Sequence, residues 1–329
     1  MTMGRQLSVR EAVWPIRGVF TISRGSRTEA RTLIAEVAAG GLVGRGECTP
    51  YARYGESLDS VRAQIESVAS EVAAGADRPA LQALLPAGAA RNAVDCALWD
   101  LEAKLAGVPA WALAGLPQPG PVTTVFTLSL GSVESMGQAA REAAHHPLLK
   151  LKLTGDGDLE RVQAVRANAP ASRLVVDANE AWSIGHLERF GSAFAELGVE
   201  LIEQPLKAAE DGALKGFRSP IPLCADESCH DTASLEHCVG KYAMVNIKLD
   251  KTGGLTEALR LRAAARERGF TVMVGCMVAS SLAMAPATLV AQGAEVVDLD
   301  GPLLLAQDHD PALRYDGAIV WPPEPSLWG

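Results

Sequence analysis

Two lysines two residues apart, Lys150 and Lys152 in LLKLKL, a third at Lys248 in VNIKLD, and three acids, Asp177 in VVDAN, Glu203 in IEQP and Asp226 in CADES, could move a proton beside a bound cation. Carboxylates brought together without a counter-charge repel one another and raise each other's pKa. A hard divalent cation relieves that repulsion, and an all-oxygen ligand set with open positions suits magnesium. Lys150 and Lys152 are two apart on a strand and so face one way. Ammonium groups that close depress one another's pKa, leaving one poised as a base near neutrality. With Lys248 on the far side, one lysine could take an α-proton while the other returned one from the opposite face. A further acidic pair, Asp298 and Asp300 in DLD, also shares one face.

These residues share a placement. Each stands at the C-terminal end of a short apolar run: VTTVFTL, LLKLKL, RLVVDAN, ELIEQP, IPLCADE, AMVNIKLD, FTVMVGC and EVVDLD read as strands, and the second to sixth and the eighth end in charge. Helical stretches such as LERVQAVRAN, GHLERFGSAFAELG and LTEALRLRAAARERG lie between them. Strands alternating with helices predict a closed parallel barrel, whose catalytic groups come from the C-terminal strand ends, with a doubly wound sheet as the alternative. Residues 1–115 read differently, as an α+β unit. Extended runs (QLSVREAVW, RTLIAEVAA, GRGECTP) precede two helices, in which Val61, Ile65, Val68 and Val72, then Val94, Leu98, Leu101 and Leu105, form single apolar stripes. The expected division is a unit over 1–115, a barrel over 116–310, and a turn-rich tail over 311–329 that packs back on the first unit.

The bulk numbers set limits. A chain of 329 residues, 48% apolar, is large enough for one large or two unequal domains. The net charge of −9 argues against a nucleic-acid partner. The opening MTMGRQLSVR has no apolar signal-peptide core, and no run is long enough to span a membrane. Six cysteines without paired spacing fit reduced thiols and a cytoplasmic setting. Cys224, Cys229, His230, His237 and Cys238 cluster in sequence, but their irregular spacing does not match a structural zinc site.

The ordered set KLKL (150–153), VVDANEAW (175–182), IEQP (202–205), CADES (224–228), VNIKLDKTGGL (245–255) and DLDGPLLL (298–305) resembles the enolase superfamily, muconate-lactonizing subgroup, and within it the dipeptide epimerases. The likeness extends to ECTPYARYGES (47–57) and LLPAGAARNAVDCALWDLEAK (84–104), nearly the whole chain. It implies a (β/α)7β TIM-like barrel under an N-terminal α+β capping domain. It also implies one Mg²⁺ held by Asp177, Glu203 and Asp226, and acid/base roles for Lys152 and Lys248, with Lys150 beside Lys152 lowering its pKa and stabilising an enolate. Asp298 and Asp300 would meet the dipeptide's free ammonium, and Arg24, or its neighbours Arg27 or Arg31, the glutamate side-chain carboxylate. Tyr51 and Tyr54 would help close the site. The activity so implied is interconversion of L-Ala-D-Glu and L-Ala-L-Glu by two-base proton transfer, serving cell-wall peptide metabolism. N-acylamino-acid racemisation, cycloisomerisation or dehydration on the same scaffold are the alternatives, and a metal-free Schiff-base lyase is a different class. The partner is a small dipeptide; the resemblance allows for a homo-oligomer, but no segment identifies an interface.

Overall fold

The computed structural model describes residues 4–329; the first three residues of the opening segment lie outside it. Strands β1 (Gln6–Ile22), β2 (Gly25–Ala39) and β3 (Leu42–Cys48) form an antiparallel sheet. Helices α1 (Leu58–Ser67), α2 (Ala69–Ala73), α3 (Arg78–Leu84), α4 (Ala89–Ala106) and α5 (Ala110–Leu113) follow. The apolar stripe read as one helix breaks at Val68, where the backbone leaves helical geometry. The first two strands are far longer than their apolar runs. Pairing continues from Gln6↔Ala38 to Ile22↔Gly25, so Arg24 lies in the two-residue tip of a hairpin, Ser23–Arg24.

Helix α4 lies directly on β3 because that strand carries glycines. A side chain on Gly46 would meet the Ala93 carbonyl and the Ala97 nitrogen, and one on Gly44 the Ala97 carbonyl and Leu101. This contact seals an apolar core that includes Leu33, Ile65, Val94, Leu98 and Leu101.

Beyond it the chain alternates: β4 (Val122–Thr123), β5 (Phe126–Leu128), α6 (Val133–Glu142), β6 (Leu148–Lys152), α7 (Asp158–Asn168), β7 (Arg173–Asp177), α8 (Ile184–Glu196) and β8 (Val199–Glu203). Then come β9 (Leu223–Ala225), β10 (Met244–Ile247), α9 (Leu249–Thr252), α10 (Leu255–Glu267), β11 (Thr271–Val274), α11 (Ser281–Val290) and β12 (Val296–Val297), before a small hairpin of β13 (Tyr315–Asp316) and β14 (Ile319–Val320). Strands β5 to β12 make one eight-stranded sheet in chain order, parallel throughout. Its two edges meet where Val125 N donates to Val297 O at 2.8 Å. Two of the crossovers, β8 to β9 and β9 to β10, carry only short 3-10 turns, Asp211–Leu214 and Ser234–Cys238, rather than α-helices.

Period-two alternation sorts the barrel residues. One layer of the lumen is filled by Val125, Leu148, Val175, Leu201, Cys224, Met244, Met273 and Val296, one from each strand or the residue preceding it. Cys224 is thus a core plug and not a zinc ligand. Two residues further along, the same faces present Lys150, Asp177, Glu203, Asp226, Asn246, Gly275 and Asp298. The intervening residues, such as Leu149, Leu151, Val176 and Ile202, face the helices.

Buried polar bonds join cap and barrel. Glu47 accepts from Ser280 Oγ, Asp95 Oδ1 from Thr256 Oγ1 (2.6 Å), and Arg91 Nη2 donates to the Thr252 carbonyl (2.7 Å). Asp250 Oδ1 accepts from Thr49 N (3.0 Å) and Asn92 Nδ2 (2.8 Å). The tail touches both units: β14 pairs with β4, while Trp328 Nε1 donates to the Cys96 carbonyl of α4 (3.0 Å). No helix among the described residues is long and apolar enough to cross a membrane.

Gly46→Ala should lower stability by about 3 kcal/mol, read as a shift in the urea midpoint, because neither backbone atom it meets can yield cheaply. Burial pushes the Asp250 carboxyl up to about 7 from 3.8. The folded chain therefore holds this proton where the unfolded chain has lost it, and stability falls as pH rises between those values. Asp250→Asn keeps both accepted bonds and should be more stable than the parent at pH 8, with the gap closing toward pH 4, in paired denaturation curves.

Candidate active site

The ordered strand ends put seven ionised groups into one buried cluster. Lys150 Nζ donates to Asp298 Oδ2 (2.7 Å) and lies 2.6 Å from Glu203 Oε2 and 3.4 Å from Asp177 Oδ2. Lys152 Nζ donates to Asp177 Oδ2 and Lys248 Nζ to Asp226 Oδ2, both at 2.6 Å. Asn246 Nδ2 donates to Glu203 Oε1 at 2.6 Å. Gly275 makes room here, since a side chain on it would strike Asn246 and press on Lys248. Lys152 on β6 and Lys248 after β10 stand four strands apart in a ring of eight, on opposite walls.

For Lys150 and Lys248 the depression expected between neighbouring lysines is outweighed. Burial alone would lower Lys150, but Asp298, Glu203 and Asp177 hold it well above the usual lysine range. Lys248 is likewise raised, by Asp226 and Glu203 against its burial. Each ammonium has carboxylates closer than any other ammonium, and attraction wins over like-charge repulsion. The acids divide in the same way. Asp177 falls to about 2, its burial overcome by Lys152 and Lys150, and Asp226 falls further beside Lys248 and Lys251. Glu203 goes up, through burial and the nearby Asp177.

Glu203 also supplies a test of the cation. Although Lys150 approaches its Oε2, the approach is off the geometry of a hydrogen bond, and that buried oxygen has no hydrogen-bond partner. A carboxylate with an unfilled oxygen, destabilised by a neighbouring acid, is what a hard cation relieves. The all-carboxylate donor set of Asp177, Glu203 and Asp226 is of the type that suits Mg²⁺, although with lysines standing between them the three do not bring one oxygen each to within 4.8 Å of one another.

Several participants are not apparent from residue spacing alone. Lys251 is fully buried and donates to Asp226 O (2.5 Å), Asp226 Oδ1 (2.7 Å) and Asn246 O (2.8 Å), fixing the Asp226 carboxylate from behind. Glu227, buried and pushed up to about 8 by desolvation and by Asp226, accepts from Arg24. Glu180 binds Arg53 through two bonds of 2.6 Å. All three stand beside strand-end residues, in KLDK, CADES and ANEAW, and that adjacency is the one signal that could have found them. Asn179, Glu180 and Gln204, just past two of the acids, hold left-handed backbone (φ 45°, 67° and 33°), strain that turns the chain sharply out of the strand ends.

Asp298 and Asp300 do sit together, with Cys276, their donor atoms within 4.8 Å of one another. Each already has a partner, however: Asp298 has Lys150, and Asp300 Oδ2 accepts from Thr127 N at 2.6 Å. Arg24 arches over the mouth, with Nη2 on Glu227 Oε1 and Tyr51 Oη (both 2.8 Å) and Nη1 on the Asn179 carbonyl (2.9 Å). Arg31 points away, paired with Glu11 on the surface. Tyr54 is edge-on to Tyr51 and to His230, its hydroxyl buried without a partner.

Residues 4–115 match the model of the mandelate racemase / muconate lactonizing enzyme N-terminal domain, and 133–325 that of the enolase C-terminal domain-like family. The chain belongs to this branch of the enolase superfamily. Within the superfamily it is 47% identical, over 94% of its length and 98% of the relative's, to the L-Ala-D/L-Glu epimerase of Escherichia coli. A solved structure from Agrobacterium tumefaciens, an enolase family member with homology to dipeptide epimerases holding sodium and L-Ala-L-Glu, is 50% identical. It superposes with a TM-score of 0.97 over 99% of this chain and 100% of that one. The dipeptide epimerase of Enterococcus faecalis, complexed with Mg and L-Leu-L-Tyr, is 28% identical with a TM-score of 0.90, over 98% of each chain.

Lys251→Met should cost about 3 kcal/mol of stability by denaturant titration, since removing one partner of a buried ionic cluster leaves the others unpaired.

Proposed function

We propose that this protein is a magnesium-dependent dipeptide epimerase that interconverts L-Ala-D-Glu and L-Ala-L-Glu. The observation that carries the reading is the pair of lysines on opposite walls, Lys152 and Lys248, flanking three buried carboxylates. A racemising enzyme has to deliver protons to both faces of one carbon, and two acid/base groups across a narrow lumen do so without the substrate turning over.

Asp177, Glu203 and Asp226 would hold the cation, which when bound supplies positive charge against the negative charge that grows on a substrate carboxylate as the α-proton leaves. The chain does the rest. One lysine, free to lose its proton where those acids turn to the cation, would take the α-proton from Cα; the other, arriving as ammonium, would give its proton to the opposite face. After each inversion the two have exchanged protonation states. Lys150, held positive by three carboxylates, adds a fixed charge beneath the reacting carbon, stabilising the anion in a closed and preorganised site. Asp298 and Asp300 lie beside the cluster and would face the substrate ammonium. Arg24, Tyr51 and Tyr54 form the lid above.

The ammonium role of the acidic pair is what separates a dipeptide from an N-acylated amino acid. Proton NMR in D₂O with Mg²⁺ tests both matters. L-Ala-D-Glu and L-Ala-L-Glu should exchange the glutamate α-proton with inversion, N-acetylglutamate should exchange far more slowly, and EDTA should stop exchange. Lys152→Ala and Lys248→Ala should each reduce epimerisation by at least about a hundredfold, as loss of a positioned acid/base group does. Substantial inversion by either variant would overturn the two-base scheme.

A further inference from the structure

The two crossovers without an α-helix, β8 to β9 and β9 to β10, carry a polar network in the wall of the barrel. Asp211, which opens the short turn after β8, is buried and paired with Lys241. Its Oδ2 accepts from Ser228 Oγ (2.6 Å) and Tyr242 Oη (3.0 Å). Lys241 and Tyr242 stand just before β10, and Ser228 just after β9. None of the four lines the cavity between Lys152 and Lys248.

The direction of these bonds sets a fifth side chain. A carboxylate offers only acceptors, so both hydroxyls give their hydrogens to Asp211 and can only accept from their other neighbours. They also stand 3.2 Å from each other, but the carboxylate is the stronger acceptor for each. The donor that meets them is the buried amide of Gln204. Its Nε2 lies 2.8 Å from Ser228 Oγ, 3.0 Å from Tyr242 Oη and 2.8 Å from the Leu206 carbonyl. With that end held, Gln204 Oε1 faces the other way and accepts from Asp226 N (2.8 Å) and Ser228 N (3.1 Å). Gln204 directly follows Glu203 in the chain. One side chain therefore ties the main chain of Asp226 to the residue beside Glu203, while Lys251 holds Asp226 at its carbonyl and Oδ1.

We propose that Gln204 is a positioning residue for the cation site, and that Asp211, acting through Tyr242 and Ser228, fixes which way its amide points. This rests on the Mg²⁺ site of the epimerase reading and not on its substrate. Glu203 and Asp226 repel each other in the metal-free protein. The bond from Gln204 to the Asp226 main chain resists that repulsion and keeps the spacing at which both acids can face one ion. An amide turned the other way would set its NH₂ group against Asp226 N and lose both accepted bonds.

The test titrates the metal-free protein with Mg²⁺ by calorimetry, with no substrate present, and sets each affinity beside a urea midpoint. Gln204→Met, similar in size but without the amide, should raise the Kd for Mg²⁺ by roughly tenfold or more, the usual cost of losing a group that orients a metal ligand. Tyr242→Phe leaves Ser228 in place and should raise it by about threefold. It decides the matter alone if Gln204→Met does not fold. Leu214→Ala, in the same turn as Asp211 but packed in the apolar core, should lower the urea midpoint and bind Mg²⁺ as the parent does. Parent-like affinity in the folded Gln204 and Tyr242 variants, or an equal loss in Leu214→Ala, would overturn the proposal while leaving the cation site standing. A parent that binds no Mg²⁺ overturns the cation reading and this inference with it.

Discussion

Four carboxylates and three ammonium groups are buried together in the lumen of a barrel, and most of the structure exists to make that tolerable. Asp177, Glu203, Asp226 and Asp298 face Lys150, Lys152 and Lys248, nearly all out of contact with water. A single such charge, unpaired, would cost several kcal/mol. Here a strand end sets each within 2.7 Å of an opposite charge. The apolar ring beneath keeps water from entering below, and Lys251 and Asn246 take up Asp226 Oδ1 and Glu203 Oε1, so that of these two carboxylates only Glu203 Oε2 stays unbonded.

That arrangement also explains why the cap must be firmly attached. An electrostatic site retains its strength only while water is excluded from above as well. The β1–β2 hairpin supplies the cover with Phe20 and Ile22, and Glu47 on β3 reaches through to Ser280 at the start of α11. The glycines of β3 draw α4 close enough for Arg91, Asn92 and Asp95 to reach the barrel loops.

The residues of the buried cluster were legible because a parallel barrel advertises them: a charge that ends an apolar strand is seldom there for packing, and alternation of two assigns its face. Lys150, Asp177 and Lys248 could be placed from sequence for that reason. Lys251 was not singled out although it follows a strand end, since only the fold shows its ammonium on Asp226. Helix α11 was missed because it is buried nearly all round and holds Pro286, so it shows no amphipathic period. Helices α3 and α6 are short, and their polar faces resemble loop. Arg24 was the first choice among the hairpin's arginines, with Arg27 and Arg31 as alternatives, and only the register shows that Arg27 stands across from Phe20. The partners of Asp298 and Asp300 were likewise hidden, since Lys150 and Thr127 come from strands about 150 residues or more away in sequence.

The buried bonds across the cap–barrel boundary have a consequence for traffic. With Glu47, Arg91, Asn92 and Asp95 all anchored in the barrel, the two units behave as a single casing, and no swing of one against the other can admit a substrate cheaply. The doorway is confined to two tips, the Ser23–Arg24 turn and the Tyr51–Tyr54 segment, latched to the barrel largely through Arg24–Glu227 and Arg53–Glu180. Partly exposed arginine–carboxylate latches weaken as ions screen them, whereas the buried walls do not. Ionic strength thus acts on the door and leaves the room intact.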